Sequence, residues 1–359
     1  MRREETKYAV LLAWIKEKIQ SGELENGQKL YSENELSRMF NLSRQTVRRA
    51  IGILEKDGLV ERVRGSGTYI GGRIGRGRKR YMNIAVISTY VDSYIFPATL
   101  QGIVSTLNEA GYMAQVSFTN NRVADEQRIL KNLLEKDTVD GVIVEAVKSA
   151  LPNPNIPLYR ELQKRHIPVL FFNCRYPELE APVVSLDDTG VALDAVNYLL
   201  QNGHRKIAGI FKSDDGQGKR RYQGYVDALM AAGVELDDRK ILWIDTEDQK
   251  NMKNIKASML RRLTDCTAVL CYNDEVAFSV LDILEREGIR IPGQLSVISI
   301  DGAEQSITGQ VHLTTIPYPT KELGAKAAAN LLELLKNPMF DGNFLYRPKI
   351  LEQDSVRTL

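Results

Sequence analysis

The sequence predicts an α/β protein in two parts: a small N-terminal winged helix-turn-helix and a larger, two-lobed body built on parallel sheets. Three observations lead there. From Asn83 onward, short apolar runs rich in Val and Ile alternate with helical patterns, which implies parallel strands covered by helices on both faces. Before that, Ser32 to Ile70 carries two capped amphipathic patterns, a tight turn between them, and two short strand patterns. The charge is also divided. Residues 1–80 hold 18 Lys and Arg against 10 Asp and Glu, a balance of +8, whereas the remainder holds 30 against 36, a balance of −6. A basic head on an acidic body points the head at a polyanion.

In the head, Tyr8, Leu12, Ile15 and Ile19 repeat at helical spacing and Gly22 ends that helix. Arg3 and Lys7, at its start, are candidates for phosphate contact. Ser32-Glu33-Asn34-Glu35 has the form of a capping box, so a second helix starts there with Leu36, Met39 and Phe40 as its apolar stripe. Asn41-Leu42 is a short turn. Ser43 can cap a third helix, and Val47, Ala50, Ile51 and Leu54 give it one apolar face. Arg44, Gln45, Thr46 and Arg48 fall off that face. Charged helix faces usually just meet water. A helix-turn-helix whose second helix has a polar N-terminal end, however, suits the major groove, where guanidinium and amide groups read base edges. Gly58 ends the helix, and Leu59 to Val63 and Tyr69-Ile70 form a wing around Arg64-Gly65-Ser66-Gly67.

The residues from Tyr31 to Ile70 resemble the winged helix-turn-helix of the GntR regulators. The S-E-x-E-L, F-x-[VL]-S-R-x-T-V-R, L-E-x-x-G-L-V-E and G-x-G-T-[YF] blocks occur in order, with Tyr31 standing where that family usually has Pro. The resemblance implies that Arg44, Gln45, Thr46 and Arg48 contact bases and phosphates, that Arg64 and Gly65 bring the wing tip to the minor groove, and that Glu33 and Lys7 lie beside the backbone. Residues 1–72 are then the DNA-binding domain, 73–81 a basic linker, and 82–359 the body.

In the body, strands are expected at 84–88, 114–118, 141–145, 169–172, 183–186, 207–211, 241–244, 268–272 and 296–300, and helices at 99–110, 125–136, 189–202, 220–232, 251–263 and 275–287. So many strands favour two lobes over one domain. NIAVIS, VDGVIVE, HIPVLFFN, KRRYQGYVDAL, AVLCYNDEVAF and LSVISID resemble the LacI/GalR effector domain, which has the type I periplasmic sugar-binding fold. That resemblance implies one lobe of about 82–186 plus 318–347, another of about 187–317, and a homodimer on palindromic operator DNA released by a small molecule. A GntR head on such a body is the build of a family of arabinose repressors, which implies L-arabinose as the sugar effector. The alternatives are another effector, such as a sugar phosphate or a nucleobase, or a non-enzymatic sugar receptor.

Ligands of parallel α/β lobes sit beyond the carboxyl ends of the strands. That rule selects Thr89, Tyr90 and Tyr94, then Glu145, then Asn173 and Arg175, then Lys212 to Asp215, Asn273-Asp274 and Asp301, with Arg221 on the helix after the GQGK loop. Carboxylates accept from sugar hydroxyls, guanidinium groups donate, an amide does both, and Tyr90, Tyr94 or Phe96 can cover an apolar ring face. The expected effector residues are Tyr90, Tyr94, Glu145, Arg175, Arg221, Asn273 and Asp301, with His312 near a crossover; by resemblance Arg221, Asn273 and Asp301 match family motifs. Asp274 reads as a helix cap, as do Asp187 and Asp188, and His204 as a C-terminal cap. With no G-x-S-x-G, no H-E-x-x-H and no paired cysteines, catalysis, metal and cofactor are not expected. Cys174, Cys266 and Cys271 read as reduced thiols of a cytoplasmic protein.

Overall fold

The structure, a computed structural model, describes residues 2–25, 27–63, 65–71, 80–92, 94–302 and 311–359, with residues 2–7 described by their backbone alone. The head consists of α1 (Arg2–Gln20), α2 (Glu33–Phe40), α3 (Arg44–Lys56), β1 (Val60–Val63) and β2 (Gly67–Ile70). Ser32 accepts from the Glu35 amide while the Glu35 carboxylate accepts from the Ser32 amide, completing the capping box. Ser43 accepts from the Thr46 amide and starts α3. Asn41, between them, adopts the left-handed conformation that lets the chain turn. Leu11, Ile15, Ile19, Leu36, Val47, Ala50, Ile51 and Leu54 form the buried core of the head. The α1 stripe is rotated from its expected place, since Leu11 is buried and Tyr8 and Leu12 only flank the core. Met39 is 52% exposed, so α2 buries a narrower stripe than expected.

The body opens with β3 (Asn83–Ser88), α4 (Phe96–Glu109), β4 (Met113–Phe118), α5 (Val123–Lys136), β5 (Gly141–Glu145), α6 (Ile156–Lys164), β6 (Val169–Phe172) and β7 (Val183–Leu186). It continues with α7 (Asp188–Gln201), β8 (Ile207–Lys212), α8 (Gly216–Ala231), β9 (Ile241–Ile244), α9 (Thr246–Lys250), α10 (Lys256–Leu263), β10 (Ala268–Cys271), α11 (Asp274–Arg286) and β11 (Ser296–Asp301). It closes with β12 (Thr314–Pro317), α12 (Thr320–Lys336) and β13 (Phe344–Tyr346). Two sheets result, ordered β13-β7-β6-β5-β3-β4 and β12-β11-β10-β8-β9, and every strand pair in them is parallel. All nine expected strands form. β12 and β13 were not anticipated.

The chain passes between the two sheets three times: after β7, after β12, and after β13, where Leu351 bridges back to Thr315 and the Val297 amide donates to the Ser355 carbonyl. His204 takes part in this last return and is not a helix cap. It is fully buried, with Nδ1 2.9 Å from Thr267 Oγ1 and Nε2 3.0 Å from the Arg357 carbonyl.

Glycine lets helix pairs approach closely in both lobes. A Cβ at Gly324 of α12 would lie 2.0 Å from the Thr99 carbonyl of α4, and one at Gly224 of α8 would lie 2.1 Å from the Thr189 carbonyl of α7. Backbone cannot yield as a flexible side chain can. Gly224→Ala is therefore expected to destabilise the protein by about 1–3 kcal/mol, read as a fall of several degrees in the thermal unfolding midpoint, whereas Ala at the open Gly52 inside α3 should not lower the midpoint and, as the better helix former, should raise it slightly.

Candidate functional site

The carboxyl ends of both sheets meet at a cleft of about 1010 Å³, part of it open to solvent. Lobe one contributes Thr89, Tyr90, Tyr94, Phe96, Asn121, Glu145, Lys148, Ser149 and Asn173; lobe two contributes Lys212, Asp214, Asp215, Gln217, Thr246, Tyr272, Asn273, Glu275 and Asp301, among others. Of the expected effector residues, Tyr90, Tyr94, Glu145, Asn273 and Asp301 line it.

On the first-lobe side, Glu145 ends β5 and is already held. Its carboxylate accepts from the Thr89 amide at 2.8 Å, from the Thr89 hydroxyl and from Asn173 Nδ2 at 2.5 Å. Burial pushes its pKa up, and the bonds from Thr89 and Asn173 pull it part of the way back. Asn173 in turn accepts from the Tyr318 hydroxyl. Tyr90 stands edge-on to Phe96 with ring centroids 5.5 Å apart, an apolar wall of the kind that covers a sugar face. Burial, then the charge of Glu145, pushes the Tyr90 phenol up to about 12.

On the second-lobe side, Arg221 is 1% exposed and lies beneath the cleft lining. It donates from Nε to Asp188 Oδ1 at 2.9 Å, from Nη1 to the Tyr272 carbonyl at 2.5 Å and from Nη2 to Asp301 Oδ1 at 3.1 Å. Its guanidinium carbon sits 4.9 Å from the Tyr272 ring centroid. Asp188 is thus the partner of Arg221 and not a cap; Asp187 caps α7 instead, accepting from the Gly190 amide. Burial raises the Asp188 carboxyl to about 6 despite the Arg221 charge, and burial raises Asp301 as well. Asn273, not Asp274, caps α11 by accepting from the Val276 amide. Its Oδ1 already accepts there, and its amide Nδ2 can donate to a ligand. Asp274 is buried and accepts from the Ser299 and Thr315 hydroxyls.

Three expected residues do not line the cleft, among them Arg221, which lies beneath it. Arg175 turns to the Ala181 carbonyl, to which Nη1 donates at 2.8 Å. His312 faces solvent and pairs with Asp354 at 2.9 Å. Other lining residues went unselected. Asn121 follows β4 and donates to the Thr246 hydroxyl, which follows β9, at 2.8 Å. The strand-end rule applied to those two strands would have found both. Lys148 and Ser149 follow β5 after a short interval and reach Asp214 and the Gly216 amide across the cleft.

In the head, Arg44, Gln45 and Arg48 are exposed on one end of α3. Arg48 forms a forked pair with Glu33 at 3.1–3.3 Å, which holds its guanidinium over the N-terminus of α2. The Thr46 hydroxyl lies 2.8 Å from that of Ser43 and belongs to the cap. Gly65 is exposed at the wing turn with φ +77°, a conformation suited to glycine. Arg62, not selected from the sequence, donates from β1 to the Arg48 carbonyl at 2.9 Å and so ties the wing to α3. Arg64 and the side chains of Arg3 and Lys7 lie outside the described residues.

The family model for gntR-type bacterial regulatory proteins matches residues 7–70, and that for the periplasmic binding protein-like domain matches residues 196–356. An arabinose metabolism transcriptional repressor of Halalkalibacterium halodurans is 38% identical over 98% of this chain and 97% of its own length. The chain belongs to that family. A second member, from Geobacillus stearothermophilus, is 33% identical over 97% of this chain and 96% of its own. Among solved structures, the transcription regulator CcpA of Lactococcus lactis superposes with a TM-score of 0.67 at 23% identity, covering 77% of this chain and 99% of that one, a likeness of fold. This member of the family carries its exposed Arg44–Gln45–Arg48 set within the first domain match and most of the second-lobe side of its cleft within the second. Among its described residues no helix is long and apolar enough to cross a membrane, and no cluster of His, Cys, Asp and Glu could hold a metal ion.

Proposed function

We propose that the chain is a cytoplasmic transcription repressor that holds palindromic operator DNA as a homodimer and releases it when L-arabinose binds between the lobes. The observation that carries this reading is a chain with two separate polar surfaces: an exposed Arg44–Gln45–Arg48 set on a capped helix and a cleft whose lining is rich in donors and acceptors from both lobes. The full-length relatives named as arabinose metabolism repressors support it.

The charge of the cleft favours a free sugar over a phosphorylated one. Five carboxylates line it (Glu145, Asp214, Asp215, Glu275 and Asp301) against three ammonium groups (Lys148, Lys212 and Lys250). Lys148 lies 3.7 Å from Asp214, Lys212 4.0 Å from Asp215 and Lys250 2.9 Å from Glu247, so all three cations already face an acid. A dianionic phosphate would be repelled, whereas hydroxyls find acceptors. A ligand touching both lobes shifts their equilibrium by its differential affinity for the two arrangements. In a dimer that shift alters the spacing of the two heads and their fit to half-sites one or two helical turns apart. Effector and operator then weaken each other reciprocally.

A thermal-shift panel of pentoses, hexoses and their phosphates tests the ligand class. At one hundred times its Kd, a ligand of the native state adds about 2.7 kcal/mol. L-Arabinose should raise the unfolding midpoint by several degrees and the phosphates should leave it unchanged. A shift from a sugar phosphate with none from free sugars overturns the reading.

A further inference from the structure

Tyr94 was expected to cover a sugar ring, and the structure gives its polar end a different occupation. The Tyr94 hydroxyl donates to Asp301 Oδ2 at 2.8 Å, linking residues from opposite lobes. The other oxygen of that carboxylate, Oδ1, holds Arg221. Asp301 is 5% exposed, so without the phenol it would keep a nearly buried oxygen with one donor fewer. The backbone at Tyr94 is left-handed, with φ +60°. A bulky aromatic residue enters that region only where its surroundings compel it, and such strain gathers at ligand clamps and switches. The apolar wall of the cleft is supplied independently by Tyr90 against Phe96. What Tyr94 adds is an O–H aimed at a carboxylate of the second lobe, the same donor that a sugar hydroxyl presents.

We propose that Tyr94 is a placeholder. Its hydroxyl takes the seat on Asp301 Oδ2 that a hydroxyl of the effector takes, and binding exchanges one O–H donor for the other. Tyr94 thereby sets the concentration at which the effector binds. It also selects for ligands carrying a hydroxyl at that position, because a deoxy analogue would displace the phenol and leave the carboxylate unpaired. The proposal rests on the cleft being the effector site.

Titration calorimetry of the full chain with L-arabinose, comparing the unaltered protein with Tyr94→Phe, tests it. The phenylalanine keeps the ring and removes the competitor. A hydrogen bond to a charged group no longer has to be broken, so L-arabinose should bind about tenfold tighter or more, while the ligand-free variant should unfold at a lower temperature. Weaker or unchanged binding overturns the proposal, since Tyr94 would then support the ligand or stand apart from it. Should neither protein bind any pentose or hexose, the effector reading fails by itself. The contact itself is checked separately by amide exchange in the protein without sugar: exchange in Ser296–Asp301 should be faster in Tyr94→Phe, and equal rates overturn the proposal.

Discussion

Arg221→Ala is expected to abolish the proposed response to L-arabinose, to leave operator binding in place, and to lower the stability of the body by about 3–5 kcal/mol. The cost follows from what the arginine neutralises. Asp188 and Asp301 are buried to 1% and 5% exposure and share one guanidinium. Removing it leaves two carboxylates facing a cavity, and such groups take up protons to escape the charge. The pH dependence has a definite sign. The folded pKa of Asp188, about 6, lies above its ordinary value because of burial. The native state therefore holds a proton that the unfolded state has released, and the stability from this group is full below about pH 4 and is lost as pH rises through about 6. Without Arg221 both carboxyls move higher still, so the variant should regain much of its stability on acidification from pH 8 to pH 5. Thermal unfolding across that range measures this, and a pH-independent deficit would count against a charge-based role. Arg221→Lys keeps one positive charge but not the three-way fork; it should recover more stability than sugar response.

The second large effect is expected in the head. Arg44→Ala or Arg48→Ala should each weaken specific operator binding by about 1–3 kcal/mol where the guanidinium reads a base. Where it meets a phosphate instead, the loss should be uniform across sequences and the salt dependence should fall by about one counterion. Both side chains are exposed, so folding should be unaffected within about 0.5 kcal/mol. That separates this prediction from general damage. The Arg48–Glu33 pair is itself a surface pair, with the arginine side chain 67% exposed, and pairs of that kind contribute at most about 1 kcal/mol. Glu33 thus positions Arg48 without binding it so tightly that DNA could not take it. Gel-shift titration of both variants at two salt concentrations distinguishes base from phosphate contact.

How much of this was readable in the chain depended on whether the signal was local. Ser32, Ser43 and Asp187 cap helices as their spacing required, because capping is decided within three residues. Eight of the nine expected strands are mostly buried, and buried parallel strands are near-continuous apolar runs; the edge strand β4 is mostly exposed. β13, Phe344–Tyr346, is three residues long and mostly exposed, and β12 ends in a proline, so neither announced itself. The exchange of roles between Asn273 and Asp274 was not legible. Both can cap, and the choice was made by Ser299 and Thr315, which arrive from distant strands to donate to Asp274. Arg175 follows the right strand end, but its side chain turns to the Ala181 carbonyl; His312 precedes β12, at the amino end of the sheet away from the cleft, and meets Asp354. Asn121 and Thr246 were reachable by the rule already in use, while the burial of Arg221 beneath the lining, and the hold of Tyr94 on Asp301, belong to tertiary packing alone.

Fluorescence anisotropy of the full chain on a DNA fragment selected by the protein from a random pool, titrated with and without saturating L-arabinose, tests the central coupling most directly. The sugar should raise the Kd for DNA about tenfold or more, in keeping with coupling energies of roughly 1–3 kcal/mol. An unchanged Kd, with the sugar shown by calorimetry to be bound, would contradict the account.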